Sequence, residues 1–289
     1  MSASVLPFRA GGEEFELGPA PWLMGIVNAT PDSFSDAGLV QTLEARVDRA
    51  RWLLAAGADL IDVGGESGVT NRPAVDPAEE ISRVVPLIER LVGDLGARVS
   101  VDTMRGSVAA QAVEAGASIV NDVSGGLADP DMARVVATAR VPFVVMHWRG
   151  HSDTMQDRAS YDDVVADVCR ALSERVADLC GRGVGSDQLI LDPGFGFAKL
   201  AEHNWSLLAH LGAMKSLGFP VLVGTSRKTF LGALGVPEGG VPRLPAQRDV
   251  TTAATTVIAG LAGVWGVRVH DVASSIDALR VVAAVEAAR

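Results

Sequence analysis

Polar and charged residues stand directly after several short apolar runs of this chain, and their types suit the binding of a polar heterocycle. Asp102, Asn121 and Asp192 each end such a run, and Lys228 follows another by a few residues. Carboxylates accept hydrogen bonds from ring N–H and NH₂ groups, an amide donates and accepts, and an ammonium group donates. Any one of these residues is equally well explained as a helix cap or a strand-end hydrogen bond. The four together indicate a specific site for a neutral ring that carries both donors and acceptors.

A second group of residues suits an anion. Arg268 and His270 follow the last apolar run, and Asn28 follows the first. An arginine offers a two-pronged donor to phosphate oxygens. The Asn28 carbonyl is a suitable ligand for Mg²⁺, which prefers oxygen and bridges phosphates. The alternatives are an exposed ion pair between Arg268 and Asp271, and a half-buried structural role for His270.

Eight short runs rich in Val, Ile and Leu carry these residues. They cover residues 22–27, 60–63, 99–101, 118–120, 143–146, 189–191, 221–223 and 264–267. Runs of this length are typical of strands buried on both faces of a parallel sheet. Helical patterns fill the intervals, and eight βα units predict a (β/α)₈ TIM barrel with its active site at the carboxyl ends of the strands. Closure of the barrel would make the first and last strands neighbours.

We predict one barrel domain over residues 22–289, preceded by an N-terminal extension over residues 1–21 that contains a short hairpin or strand. Such a barrel takes about 250 residues, so the 289 residues leave room for a single domain. Helices are predicted over residues 42–56, 79–91, 105–115, 130–139, 162–181, 202–217, 228–234, 249–263 and 274–287. The loops 66–76 and 148–160 are long for this fold and are expected to serve the site.

Composition excludes several classes of function. The net charge is −10 and no Lys/Arg run is present, which argues against a nucleic-acid groove. The apolar runs are far shorter than the roughly 20 residues of a membrane span, and the first residues predict no signal peptide. Cys169 and Cys180 fall in one predicted helix, where eleven residues separate them by roughly 16 Å, too far for a disulfide. Reduced thiols fit a cytoplasmic protein.

Two other polar residues carry no catalytic signature. His147 has no partner at metal-ligand spacing, so we expect a hydrogen-bonded strand-end residue rather than a zinc ligand. Ser226 lacks the G-x-S-x-G pattern of a nucleophile elbow.

Seven segments of the chain resemble the signatures of the dihydropteroate synthase family. They are MGIVNATPDSFSD at residues 24–36, GADLIDVGGES at 57–67, VDT at 101–103, IVNDVSG at 119–125, DPGFGFAK at 192–199, GTSRK at 224–228 and RVHD at 268–271. These matches run in order along the barrel, and several are long. The resemblance implies an enzyme that joins 6-hydroxymethyl-7,8-dihydropterin diphosphate to p-aminobenzoate, with release of diphosphate, in folate biosynthesis. It also implies Mg²⁺ as cofactor and a homodimer.

The resemblance assigns roles to individual residues. The implied pterin site comprises Asp102, Asn121, Val123, Met146, Asp192, Phe197, Gly224 and Lys228. The implied diphosphate site comprises Asn28, Thr70, Arg72, Arg268 and His270, with Asn28 as the Mg²⁺ ligand. The implied aminobenzoate site comprises Phe34, Thr70, Pro73, Phe197 and Ser226. Asp36, Asp102, Lys228 and Arg268 are the implied catalytic residues, with the two carboxylates favouring a cationic methylene carbon.

One segment departs from the family pattern. The family reads Glu-Ser-Thr-Arg-Pro-Gly after the second strand, whereas residues 66–74 here read ESGVTNRPA. The extra residues separate Thr70 from Arg72, so the second substrate or the response to sulfonamides is open. Two further hypotheses remain: a pterin-binding paralogue with another aryl amine or no turnover, and a methyltetrahydrofolate:corrinoid methyltransferase-like domain. Asn28, Arg268 and the GTSRK segment argue against the methyltransferase, which needs no diphosphate clamp.

Overall fold

The computed structural model describes residues 8–10, 13–15, 20–30, 42–66, 75–150, 158–237 and 239–289. The first elements are the strands β1 (Phe8–Ala10) and β2 (Glu13–Phe15), which pair antiparallel. Strand β1 contacts the short 3-10 turn Ser186–Gln188, which leads into a barrel strand at its amino end. The predicted N-terminal hairpin is therefore confirmed. The boundary between residues 21 and 22 as a domain limit stays a prediction.

Eight parallel strands form the barrel within the described residues. They are β3 (Trp22–Asn28), β4 (Leu60–Gly64), β5 (Val99–Asp102), β6 (Ile119–Asp122), β7 (Phe143–Met146), β8 (Leu189–Asp192), β9 (Leu222–Val223) and β10 (Gly266–Val269). Their order is β8-β7-β6-β5-β4-β3-β10-β9. Leu191 closes the ring, because its N–H donates to Pro220 O at 2.8 Å and it bridges Val221 just before β9. The predicted (β/α)₈ TIM barrel is confirmed.

Helices follow the barrel strands in alternation. They are α1 (Leu43–Ala55), α2 (Pro77–Leu95), α3 (Gly106–Glu114), α4 (Met132–Ala139), α5 (Val164–Gly181), α6 (Ala201–Ala209), α7 (Leu211–Lys215), α8 (Thr229–Gly232), α9 (Asp249–Ala262) and α10 (Val272–Ala287). Side chains that accept hydrogen bonds from the first turn begin several of these helices. Thr42 accepts from Ala45 N at the start of α1, and Asp76 accepts from Ala78 N at the start of α2.

Two predicted helices differ from the structure. The pattern over residues 202–217 predicts one helix, but the chain breaks at His210 into α6 and α7. His210 leaves the helical region there, with φ −118° and ψ 33°, while its backbone N–H still donates to Ser206 O at 3.1 Å. The helix predicted over residues 228–234 is only the single turn α8, because Lys228 has extended backbone angles.

The barrel strands have an apolar layer on each face, one inside the barrel and one against the helices. Inside the barrel, alternate strand residues form a buried cluster of Trp22, Met24, Leu60, Ile119, Val144, Ile190, Leu222 and Trp265. The intervening residues point outward and form the larger core against the helices. Because side chains alternate with period two, the next inward residues toward the carboxyl ends include Asp62, Asp102, Asn121, Asp192 and Arg268. The barrel floor is thus apolar and its mouth is charged.

Two further findings concern the helices. Cys169 and Cys180 both lie on α5 as free thiols, as the sequence predicts. Among the helices of the described residues, none combines the length and apolar composition needed to span a bilayer.

Candidate active site

The polar residues at the ends of β3, β5 and β6 lie in one row. In the parallel register Asn28 is opposite Gly64, Gly64 is opposite Asp102, and Asp102 is opposite Asn121. Both side chains lie near Gly64, since a Cβ built there would be 3.7 Å from Asp102 Oδ2 and 3.9 Å from Asn28 Oδ1. The row therefore brings an amide, a carboxylate and a second amide together at the barrel mouth.

Asp192 extends this arrangement on β8, where it lies opposite Met146 of β7. It is 7% exposed, and its Oδ1 accepts from Gly194 N at 2.7 Å. The other oxygen lies over the next strand, since a Cβ on Gly224 would be 3.7 Å from Asp192 Oδ2. The turn after β8 therefore uses one carboxylate oxygen and holds the other over the mouth.

Lys228 packs on the same turn. Its Nζ lies 3.8 Å from the ring centroid of Phe197, a cation–π contact. Gly196 has φ +75°, and a Cβ there would lie 2.9 Å from Lys228 Cδ, so a side chain at this position would displace the lysine stem. Asp192, Phe197 and Lys228 thus form one wall of the mouth.

Arg268 crosses the barrel from β10. Its Nε donates to Asp62 Oδ2 at 2.6 Å, and its Nη2 donates to Asp102 Oδ2 at 2.7 Å. Burial disfavours the cation, but the two carboxylates more than offset this and raise the pKa of Arg268. The alternative of an exposed pair with Asp271 is not found, because Asp271 caps α10 through Ser274 N.

Ser226 and His270 form a pair beside Arg268. The backbone N–H of His270 donates to Ser226 Oγ at 3.1 Å, and Ser226 Oγ lies 3.0 Å from His270 Nδ1. Burial lowers the pKa of His270 well below its ordinary value, and the cations Arg227 and Arg268 lower it further. His270 is therefore neutral at physiological pH.

Two groups of the mouth titrate near neutral pH. Burial raises the pKa of Asp102 to about 7, with Asp62, Glu80 and Asp122 adding to the increase and Arg268 opposing it. Burial also lowers the pKa of Lys228 to about 8, and Arg268 lowers it further, against the effect of Asp192 and Asp102. Burial likewise raises the pKa of Asp192. Perturbed groups gathered in a concave site are typical of binding and catalytic centres.

A buried lysine stabilises the turn after β8 by donating hydrogen bonds to its backbone carbonyls. Lys199 is 4% exposed, and its Nζ contacts Gly194 O at 3.0 Å, Phe197 O at 3.1 Å and His147 Nδ1 at 3.0 Å. Burial lowers the pKa of Lys199 to about 7. His147 is thus a hydrogen-bonded residue after β7, as the sequence predicts.

The donor set around Asn28 fits Mg²⁺. Asn28 Oδ1 and Asp102 Oδ2 both lie near Gly64, and oxygens of these types are the ligands that this hard cation prefers; Asp102 Oδ2 also accepts from Arg268. The described residues contain no group of three His, Cys, Asp or Glu side chains able to hold a metal alone. A site of this kind suits Mg²⁺ that is held jointly by protein oxygens and a phosphate ligand.

Most of the site residues predicted from the sequence lie in the described part of the chain, and five do not. Val123 follows β6 and is half-buried, and Met146 is buried at the end of β7. Phe34, Asp36, Thr70, Arg72 and Pro73 lie outside the described residues.

Sequence reasoning missed Asp62 and Lys199. Asp62 is fully buried within β4 and bonds Arg268 and Asn121. The available signal was a carboxylate inside an apolar run, which requires a buried partner. Lys199 closes the DPGFGFAK segment, and nothing in its local pattern indicates that its side chain turns back into the loop.

The mouth as a whole can hold a neutral heterocycle beside an anion. Asp102, Asn121, Asp192 and Lys228 present acceptors and donors around one side, and Arg268 with neutral His270 presents donors on the other. Such a site can bind a ring and stabilise negative charge that develops on a leaving group attached to it.

Comparisons with known proteins agree with this chemistry. A family model described as pterin binding enzyme matches residues 24–270. The chain is 45% identical over 263 residues to the dihydropteroate synthase of Mycobacterium leprae, covering 91% of this chain and 92% of that protein. It is 40% identical over 269 residues to the dihydropteroate synthase of Escherichia coli K12, covering 93% of each.

Solved structures are similar over nearly the whole chain. The Yersinia pestis dihydropteroate synthase with a sulfonamide drug superposes with a TM-score of 0.88 at 38% identity, covering 97% of this chain and 99% of that one. The Xanthomonas albilineans enzyme in complex with 7,8-dihydropteroate gives a TM-score of 0.81 at 40% identity, covering 96% and 97%.

Proposed function

The chain belongs to the dihydropteroate synthase family of pterin-binding enzymes, and we propose that it joins 6-hydroxymethyl-7,8-dihydropterin diphosphate to p-aminobenzoate. The products are dihydropteroate and diphosphate, so the enzyme is a transferase of folate biosynthesis. The observation that carries this proposal is the convergence of Asp102, Asn121, Asp192 and Lys228 with Arg268 at one barrel mouth. The identity of 40% to the Escherichia coli synthase, over 93% of both chains, supports it.

The pterin is proposed to lie between the β5–β6 row and the turn after β8. Asp102, Asp192 and the side-chain carbonyl of Asn121 accept from its ring N–H and NH₂ groups, and Lys228 donates to its ring nitrogen and carbonyl. Val123, Met146, Phe197 and Gly224 line the flat faces of the ring. Burial of Asn121 (4% exposed) and Asp192 (7% exposed) supports the assignment, because a desolvated polar group discriminates strongly between ligands.

The diphosphate is proposed to lie beside β3 and β10, which are adjacent strands. Arg268 and His270 donate to its oxygens. Thr70 and Arg72, which follow β4 in the sequence, are proposed as further donors. Asn28 is the proposed protein ligand of Mg²⁺, with Asp102 Oδ2 nearby. When bound, Mg²⁺ supplies positive charge that offsets the charge of the leaving diphosphate.

The aminobenzoate is proposed to enter between these two subsites. Ser226 stands two residues before Lys228 and bonds His270, so it lies at the junction that the aryl amine must reach. Phe197 gives a ring face next to the Lys228 ammonium group. Phe34, Thr70 and Pro73 complete this subsite in the proposal.

The reaction breaks the C–O bond between the pterin methylene and the diphosphate, and both electrons leave with the diphosphate. The aryl amine nitrogen forms the new C–N bond and then releases a proton. Asp36 and Asp102 favour the positive charge on the methylene carbon, while Arg268 and Lys228 stabilise the leaving group and the ring. An aryl amine needs no strong base, and His147 and His270 bond Lys199 and Ser226 rather than a carboxylate.

A turnover assay tests the proposal. Purified protein with the pterin diphosphate, p-aminobenzoate and Mg²⁺ should release diphosphate and dihydropteroate in equal amounts. Omission of p-aminobenzoate should abolish both. Pterin binding without product would contradict the synthase and leave a non-catalytic paralogue, and methyl transfer to cobalamin would indicate the methyltransferase. The same assay with other aryl amines tests the effect of the lengthened 66–74 segment.

The proposal includes a homodimer in the cytoplasm. Three apolar side chains on α9 are exposed, Val250 at 79%, Ile258 at 43% and Leu261 at 49%, and they lie within roughly 80° of each other around the helix. Such a patch is typical of a subunit interface. Sedimentation equilibrium should give twice the 30.0 kDa of one chain, and Ile258→Asp should lower it toward that of one chain. The free thiols Cys169 and Cys180 are compatible with a reducing compartment.

A further inference from the structure

Asp62 is a fully buried carboxylate beneath the barrel mouth. It lies on β4, opposite Ile26 and Ser100, and its exposed fraction is 0%. Two residues further along the strand, Gly64 belongs to the row that carries Asn28 and Asp102. A charge at this depth is stable only when it is paired and hydrogen-bonded.

The partners of Asp62 come from two different parts of the mouth. Arg268 Nε donates to Oδ2 at 2.6 Å, and Asn121 Nδ2 lies 3.4 Å from Oδ1 and 3.3 Å from Oδ2. Asn121 belongs to the proposed pterin subsite and Arg268 to the proposed diphosphate subsite. No other carboxylate of the described residues bonds both of these side chains.

We propose that Asp62 is the positioning residue that fixes the Asn121 amide and the Arg268 guanidinium at once, so that the two subsites share one anchor. This inference rests on the proposed function, since it deepens the roles given there to the two side chains.

The geometry determines how Asn121 faces its ligand. A carboxylate paired with a guanidinium is an acceptor only, so the NH₂ group of Asn121 must point toward it. The carbonyl oxygen of Asn121 is then the atom left for the mouth, and this residue offers the pterin an acceptor rather than a donor. Replacement of Asp62 by a neutral amide removes the reason for that orientation.

The geometry also limits how Arg268 moves. Asp62 holds its Nε and Asp102 holds its Nη2, so carboxylates bond two of the three guanidinium nitrogens. Asp62 holds Nε independently of Asp102, which is itself a proposed pterin ligand. The guanidinium N–H groups that these carboxylates do not use therefore keep pointing toward the proposed position of the diphosphate.

The decisive experiment compares Asp62→Asn with Asp59→Asn. Asp59 lies just before the same strand at the opposite end of the barrel, where its Oδ2 accepts from the backbone N–H of Leu23 at 2.7 Å and the charge of Arg98 acts on it. Wild-type turnover is measured first, because its absence overturns the proposed function and not the anchor. We expect Asp62→Asn to weaken binding of 6-hydroxymethylpterin and inhibition by inorganic diphosphate, each by about tenfold or more. Asp59→Asn should leave both unchanged.

A comparison of KM with kcat separates positioning from general loss of structure. Asp62→Asn should raise the KM for the pterin diphosphate and lower kcat, because Asn121 and Arg268 belong to the pterin and diphosphate subsites. The KM for p-aminobenzoate should stay unchanged, because neither side chain belongs to the proposed aminobenzoate subsite. Unchanged affinities for both ligands, or an equal rise in the KM for p-aminobenzoate, would overturn the proposal.

If Asp62→Asn fails to fold, neutron diffraction on the wild-type protein can determine the orientation of the Asn121 amide against Asp62 without any variant. Deuterium should be found on the Asn121 side-chain atom that faces Asp62, and none on the atom that faces the mouth. The opposite orientation would refute the anchor.

Discussion

Asp192→Asn is the substitution that tests the proposed pterin subsite most directly, because it changes one hydrogen-bonding atom that faces the ligand. Asp192 Oδ1 accepts from Gly194 N at 2.7 Å, and this bond holds the turn that carries Phe197. An asparagine must keep its only oxygen on Gly194, because an NH₂ group there would face another donor. Its NH₂ group then replaces Oδ2 over Gly224 and points at the ring donors of the ligand.

The size of the effect has two contributions. A hydrogen bond to a charged group contributes about 1.5–3 kcal/mol, and a donor in place of the acceptor loses it in full. The neighbouring charges also change, because Asp192 raises the pKa of Lys228, which is already lowered to about 8. Without that carboxylate, Lys228 loses its proton at lower pH and becomes a weaker donor. We expect pterin affinity to fall about 100-fold, which corresponds to about 2.7 kcal/mol.

Isothermal titration calorimetry with 6-hydroxymethylpterin at pH 7.5 measures this loss. Asp187→Asn is the matched control, since Asp187 is exposed in the turn at the amino end of the same strand. The melting temperature of Asp192→Asn should change little, because burial raises the pKa of Asp192 and the fold gains nothing from its ionised form. Pterin affinity equal to that of wild type would refute the subsite as drawn.

Three further predictions follow from the same geometry. Arg268→Ala should lower kcat about 100-fold or more and weaken inhibition by diphosphate. Binding of the unphosphorylated pterin should fall less, because the lost cation acts on it only through a higher pKa of Asp102; equal losses for both ligands in titration calorimetry would mean that the two subsites are misassigned. Pterin affinity should be greatest between pH 7 and 8, because Asp102 with a pKa of about 7 takes up a proton on the acid side and Lys228 with a pKa of about 8 releases one on the alkaline side; a flat profile from pH 6 to 9 would contradict this. Gly194→Ala should cost about 2 kcal/mol or more of unfolding free energy in urea denaturation, because φ is +71° and the Cβ would lie 2.6 Å from His147 O; an unchanged midpoint would refute it.

The barrel and much of its mouth could be predicted from the sequence. Short apolar runs indicate buried parallel strands, and the fold gathers their ends, so Asp102, Asn121 and Asp192 were identifiable as neighbours without coordinates. The period of two along each strand also explains why these residues face inward above an apolar floor. Both inferences rest on patterns that are local to one strand.

The remaining features depend on contacts between distant segments. Arg268 bonds Asp62 from 206 residues away, and no local pattern distinguishes that pairing from one with Asp271. Lys199 turns back onto His147, 52 residues earlier, for the same reason. The break at His210 escaped prediction because the apolar periodicity continues through it, while the departure lies in the backbone angles of His210, φ −118° and ψ 33°.

A crystal structure with 7,8-dihydropteroate bound would test most directly whether these residues surround one heterocycle. We expect the pterin ring to bond Asp102, Asp192 and the carbonyl oxygen of Asn121, with Lys228 within hydrogen-bond reach of the ring. A ligand bound elsewhere, such as in the cleft near Tyr161 and His203 between α5 and α6, would show that these residues do not form the pterin site.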